Sequence, residues 1–205
     1  MSTPGRTPLW AVVPVKGFAR GKSRLATVLP PDQRAAFSRS LLERTLATLA
    51  RSPSVARIAV ITSDDATGAL AEAAGAIVLP DEAPPPLGRI VDAALLGVAR
   101  RGASAALVLM SDLPRLEPDD IAAMADLLGA HDLVVAPNLE EDGTNALGLA
   151  LPATGPTSFG LGDSFRRHLA AAEKTCQRAA IYRHPRVAFD VDGPDDFAAL
   201  SCGLP

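Results

Sequence analysis

The chain has 205 residues, 48% hydrophobic and 21% charged, the composition of a folded domain that buries a core without metal or disulfide staples. Its 20 Lys plus Arg against 23 Asp plus Glu give a formal charge of -3, which leaves no electrostatic footprint for duplex nucleic acid. A local basic cluster can still hold a small anion on such a body. Cys176 and Cys202 lie far apart without metal spacing, so the sequence points to the cytoplasm rather than to a disulfide framework. Leu9 to Val15 is too short for a membrane span, and Met1 to Pro8 reads as a frayed end rather than a signal peptide.

In chain order, Leu9–Val15 predicts a buried strand, and a helix follows from Pro31. Its first turn tolerates proline, and Phe37, Leu41, Leu42, Leu46 and Leu49 form one apolar stripe. Strand Val55–Thr62, helix Ala66–Ala74 and the short strand Ala76–Leu79 come next. After a loop over Asp81–Leu87, helix Arg89–Arg101 is closed by Gly102. The uninterrupted apolar run Ala105–Met110 predicts a strand buried on both faces. Helix Glu117–Leu128 and strand Leu133–Ala136 follow. Beyond Pro137 the rhythm changes: strand Ala146–Leu151, helix Ser164–Glu173, short strands Ala179–Tyr182 and Val187–Phe189, and a helix from about Pro194. This alternation predicts one α/β domain with a mostly parallel open sheet, helices on both faces and ligands beyond the strand ends.

Four clusters fall at such ends. Lys16, Arg20, Lys22 and Arg24 share one loop with Gly17 and Gly21. The loop matches neither a Walker A sequence nor a G-x-G-x-x-G fingerprint. It offers compact positive charge on backbone able to approach a polyphosphate, with Arg20 the least tied to that role. Asp112 follows the most apolar strand and is either a hard ligand for Mg²⁺ or a turn cap. In Phe189-Asp190-Val191-Asp192-Gly193, alternate residues share a face, so two like charges lie side by side and favour a cation, though solvated turn carboxylates would look the same. The fourth cluster joins Asp142-Gly143-Thr144-Asn145 to Phe159-Gly160-Leu161-Gly162-Asp163-Ser164. There Ser164 is the expected helix cap, with Arg166, Arg167 and His168 as donors to an anion. Ordinary turn chemistry and a polar helix face would read the same way. His131 and His184 have no companions in the sequence.

The order VPVKGFARGKSRL, SDLPRL, DGTNAL, FGLGDSFRRH and FDVDGPDD resembles the guanylyltransferase family of coenzyme F-420 biosynthesis. Those enzymes join GMP to 2-phospho-L-lactate, phosphoenolpyruvate or 3-phospho-D-glycerate. The resemblance implies a Rossmann-like fold of the nucleotide-diphospho-sugar transferase type, with GTP and a phosphorylated carboxylic acid as partners. By the same resemblance Lys16, Lys22 and Arg24 serve the nucleotide phosphates, with Lys16, Lys22 and Asp112 as the catalytic set. Asp112, Asp190 and Asp192 hold Mg²⁺, while Thr144, Gly160 and Ser164 lie against the acid. Gly88 joins the ligand-binding set at the helix start, where Leu87-Gly88-Arg89 stands for a Gly-Leu-Asn segment of relatives, and Ser-Asp-Leu-Pro stands for their Ala-Asp-Leu-Pro. Either Gly160 or Gly162 matches the family glycine.

The chemistry needs little beyond charge. A phosphomonoester with a second pKa near ~6 is already ionised at pH 7, so its oxygen can attack without a general base. The barrier is repulsion between anions, which fixed cations and metal ions lower. Alternatives are a nucleotidyltransferase of the same fold acting on a sugar phosphate or pterin, a metal-dependent glycosyltransferase, and a silent nucleotide-binding module. Monomer and homodimer both remain open.

Overall fold

The structure, a computed structural model, describes residues 9–201. The Met1–Pro8 end and Cys202 lie outside the described residues. One seven-stranded sheet runs in the order β3-β2-β1-β4-β6-β5-β7. Its strands are β1 (Leu9–Pro14), β2 (Val55–Ile61), β3 (Ile77–Leu79), β4 (Ala105–Leu109), β5 (Leu133–Pro137), β6 (Thr144–Ala150) and β7 (Ala179–Ile181). All neighbours pair in parallel except β6, which runs antiparallel to both β4 and β5.

The helices are α1 (Pro31–Arg51), α2 (Asp65–Ala73), α3 (Leu87–Ala99), α4 (Pro118–Ala130), α5 (Ser164–Lys174), α6 (Pro185–Ala188) and α7 (Pro194–Ser201). Strand alternation sends Leu9, Ala11 and Val13 into one core with Leu42, Leu46 and Leu49 of α1 and Ile121 and Met124 of α4. Trp10 and Val12 enter a second core with Val91, Leu95 and Val98 of α3 and Phe165 and Ala172 of α5. Burying each such leucine contributes about 2 kcal/mol, so the sheet is clamped from both faces.

This layering places the site. The connection from β1 through α1 covers one face, whereas the connection from β3 through α3 into β4 covers the other. The carboxyl ends of the adjacent strands β1 and β4 meet where the strand order turns from β2 and β3 on one side to β6, β5 and β7 on the other, the switch point at which such sheets leave a crevice. Because β6 is antiparallel, its first residues, Thr144 and Asn145, arrive at the same edge.

Two expected elements differ. Thr144 and Asn145 belong to β6 rather than to a turn before it. Val187–Phe189 is no strand: Pro185–Ala188 forms a single helical turn, started by Pro185 and capped by the His184 ring, which accepts from the Arg186 N–H. Proline at the first position suits a helix start, and the short apolar run gave no hint of it.

Candidate active site

The loop after β1 is shaped by three unusual residues. Gly17 takes φ 88°, and a Cβ there would stand 2.8 Å from Cβ of Asp64. A Cβ on Gly21 would meet Ser38 Oγ at 2.7 Å. Lys22 itself sits in the left-handed region at φ 53°, a conformation that costs a side-chain-bearing residue about 1–2 kcal/mol. Two 3-10 turns, Phe18–Arg20 and Ser23–Thr27, flank it, with Phe18 and Leu25 buried as anchors.

The strained backbone aims Lys22 at the end of β4. Its Nζ donates to Asp112 Oδ2 at 2.6 Å and to Asp192 Oδ1 at 3.4 Å, and Arg24 donates to Asp192 Oδ2 at 3.2 Å. The Lys22 side chain is only 10% exposed. Burial works against its charge, but Asp112 and then Asp192 outweigh that and raise its pKa.

Asp112, Asp190 and Asp192 come together, each offering a carboxylate oxygen within 4.8 Å of the others. The main chain fixes the arrangement, since the Val191 N–H donates to the Asp112 carbonyl at 3.2 Å. Burial first, and then the charge of Asp112, push Asp190 up to about 6. Three hard oxygen donors facing a single buried ammonium are a donor set suited to a divalent cation such as Mg²⁺.

Two cavities meet at these carboxylates. The first, about 320 Å³, is walled by Lys16, Gly17, Arg20, Gly21, Lys22 and Arg24 with Asp112 and Asp192. The second, about 610 Å³, is walled by Asn138, Thr144, Phe159, Gly160, Ser164 and Asp190. Arg24, Leu87, Met110, Asp112 and Asp192 belong to both walls. The arrangement can hold a polyanion on the cationic loop and a second polar ligand beside it, with the reacting ends at the acidic cluster.

The family model for guanylyl transferases described as CofC like matches residues 9–202, the span that carries every one of these side chains. The chain belongs to that family. A phosphoenolpyruvate guanylyltransferase of Rubrobacter xylanophilus is 40% identical over 94% of this chain and 93% of its own. One from Chloroflexus aggregans is 38% identical over 88% of this chain and 90% of its own. Among solved structures, one described as a nucleotide-diphospho-sugar transferase of Desulfovibrio desulfuricans superimposes with a TM-score of 0.79 at 17% identity, covering 94% of this chain and 85% of that one. At that identity the likeness shows the fold, which is the one the sequence predicts.

Within this CofC-like site some expected roles shift. Gly88 lines neither cavity: it is buried at the start of α3, donates to the Phe159 carbonyl, and could not carry a Cβ, which would come 2.7 Å from the Thr157 carbonyl oxygen. Its close approach holds the 157–159 segment in place. Arg89 is exposed. Gly160, at φ 75° against Leu87, is on the cavity wall, whereas Gly162 faces open space. Arg20, expected to be peripheral, is on the wall.

Ser164 does not cap α5. Asp163 holds that position at φ 63° with its side chain turned to Arg166, and the Ser164 hydroxyl instead bonds Thr144 Oγ1 at 3.2 Å. Arg166 and Arg167 bond to Asp163 and to the Gly162 carbonyl and line neither cavity. His168 is 4% exposed, and both of its ring nitrogens are engaged by Thr144 and Ser158. His184 has companions after all, stacking on Tyr182 and lying 3.5 Å from Asp120.

Sequence reasoning gave Asn145 no role. Its buried amide donates to the carbonyls of Val187 and Ala188 and to Asp190 Oδ1 at 3.0–3.2 Å, tying β6 to the acidic segment. Its place beside Thr144 in DGTNAL was the available signal. Asp120, wholly buried, accepts a forked pair from Arg186 and one bond from Tyr182 Oη, which fixes α6 in front of Asp190.

Proposed function

We propose that this chain transfers GMP from GTP to a small phosphorylated carboxylic acid and releases pyrophosphate, a step of coenzyme F-420 biosynthesis carried out in the cytoplasm. Phosphoenolpyruvate is the first choice of acceptor, because the relatives at 38–40% identity bear its name; 2-phospho-L-lactate and 3-phospho-D-glycerate share its chemistry. The guanine preference rests on the family. The observation that carries the reading is the shared wall: a cationic compartment and a hydroxyl-bearing compartment open onto the same carboxylates.

In this reading Lys16, Arg20, Lys22 and Arg24 face the triphosphate and offset its charge. Thr144, Ser164 and the Gly160 backbone hold the acid beside it. Its phosphate oxygen forms the new bond to the α-phosphorus while the bond to pyrophosphate breaks. That oxygen is already deprotonated at neutral pH, so no side chain acts as general base. Asp112, Asp190 and Asp192 would hold Mg²⁺, which supplies charge neutralisation for the phosphates when bound.

Incubating the purified protein with GTP, Mg²⁺ and each acid separately, with products weighed, tests this. One acid should yield its GMP adduct together with pyrophosphate. Release of a nucleoside diphosphate, as a glycosyltransferase would give, or no adduct with any acid, contradicts it.

A further inference from the structure

The second cavity carries a polarity that follows from hydrogen counting. His168 on α5 is buried beneath its wall, edge-on to Phe159 with ring centroids 5.1 Å apart. Its Nε2 lies 2.8 Å from the main-chain nitrogen of Ser158. A backbone N–H can only donate, so Nε2 is the acceptor and carries no hydrogen. The ring hydrogen is therefore on Nδ1, which faces Thr144 Oγ1 at 3.1 Å and the Ser164 main chain and cannot accept from the Thr144 hydroxyl.

Thr144 and Ser164 then close the count. Their hydroxyls are both buried at the cavity wall and bonded to each other at 3.2 Å. The pair owns two hydroxyl hydrogens, and one is used between them. His168 accepts none. Whichever way the inner bond points, one hydrogen is left to donate outward. With the other tautomer, Nδ1 would absorb that hydrogen and the pair would present lone pairs to an incoming anion.

We infer that His168 is a positioning residue that makes the Thr144–Ser164 pair a net hydrogen-bond donor toward an anionic acceptor, while its other nitrogen pins the Ser158–Phe159 wall. The inference rests on the reading of this cavity as the acceptor's. Burial lowers the imidazole pKa to about 4, against a smaller opposing effect of the Ser164 main chain, so the ring is neutral, as the count requires.

Three proteins test it: wild type, His168→Phe and His168→Gln. Glutamine can accept from the Ser158 N–H and donate to Thr144, whereas phenylalanine can do neither. His168→Phe should raise KM for phosphoenolpyruvate roughly tenfold to a hundredfold, the value of a lost bond to a charged group, with KM for GTP within about twofold. His168→Gln should recover most of that loss. Equal KM values for the two variants, or an equal loss toward both substrates, would mean that the ring only packs, and would overturn the proposal. Nitrogen chemical shifts of the wild-type ring at pH 7 should put the hydrogen on Nδ1; a hydrogen on Nε2 overturns the proposal without touching the functional reading. A hydrogen on Nδ1 in a protein that releases no pyrophosphate with any acid would overturn the functional reading, and this inference with it.

Discussion

Lys22 shows how much the site asks of single residues. A lysine held at positive φ and buried between two carboxylates is unfavourable on backbone grounds alone, and the neighbouring charges over-determine it. Asp112 contacts Lys22 and lies on both cavity walls, so Asp112→Asn should keep the fold and lower turnover by at least about a hundredfold. Unchanged far-ultraviolet dichroism with near-normal pyrophosphate release would remove it from the catalytic set. Two buried groups also set opposite pH slopes. His168 binds fewer protons folded than unfolded between its pKa of about 4 and the usual 6.5, so its contribution is full above 6.5 and is lost as pH falls through that window. Asp190, raised to about 6, binds more protons folded between 4 and 6, so its ionisation costs stability as pH rises. In the metal-free wild type the two largely offset each other. Asp190→Asn should therefore lose stability more steeply than wild type between pH 6.5 and 4, by on the order of 3 kcal/mol in urea unfolding. Parallel curves for the two proteins would contradict the assignment.

At the scale of elements, one helical turn decides where the acidic segment sits. Helix α6 is only Pro185–Ala188, too short to stand alone, and it is held from two sides. Asn145 of β6 grips its carbonyls, and Asp120 of α4 grips Arg186. The Asp120 carboxyl stays below its usual range although burial opposes this, because Arg186, the Glu117 N–H and Tyr182 together outweigh the burial. Arg186→Met would leave that carboxylate buried with too few partners. The cost should fall at the low end of about 3–5 kcal/mol, since Arg186 is 38% exposed. Urea denaturation checks this; a loss below about 0.5 kcal/mol would mean that the pair is screened like a surface one. Neither α6 nor the Asp163 cap was legible locally. A three-residue apolar run suits a strand or a turn of helix equally, and a serine at a helix start reads as a cap until its hydroxyl is seen bonded elsewhere.

Across the whole molecule, sequence periodicity and strand-end placement carried most of the architecture. The alternating runs predicted the sheet, and Asp112, at the end of the most apolar strand, lies on the walls of both cavities. What escaped was long-range: the antiparallel β6 that brings Thr144 and Asn145 to the same edge, and Gly88 acting through backbone approach rather than ligand contact. Such features depend on partners 40 to 70 residues away, as in the Asn145–Asp190 and Thr157–Gly88 pairs (separations 45 and 69), and leave no local pattern. In the proposed function the carboxylates of Asp112, Asp190 and Asp192 share one divalent cation between the two substrate compartments. Anomalous diffraction from crystals grown with Mn²⁺, a GTP analogue and phosphoenolpyruvate tests it most directly. A manganese peak is expected within bonding distance of all three residues, with the triphosphate along Lys16–Arg24 and the acid against Thr144 and Ser164. A nucleotide bound elsewhere, or a peak that none of the three aspartates touches, would contradict it.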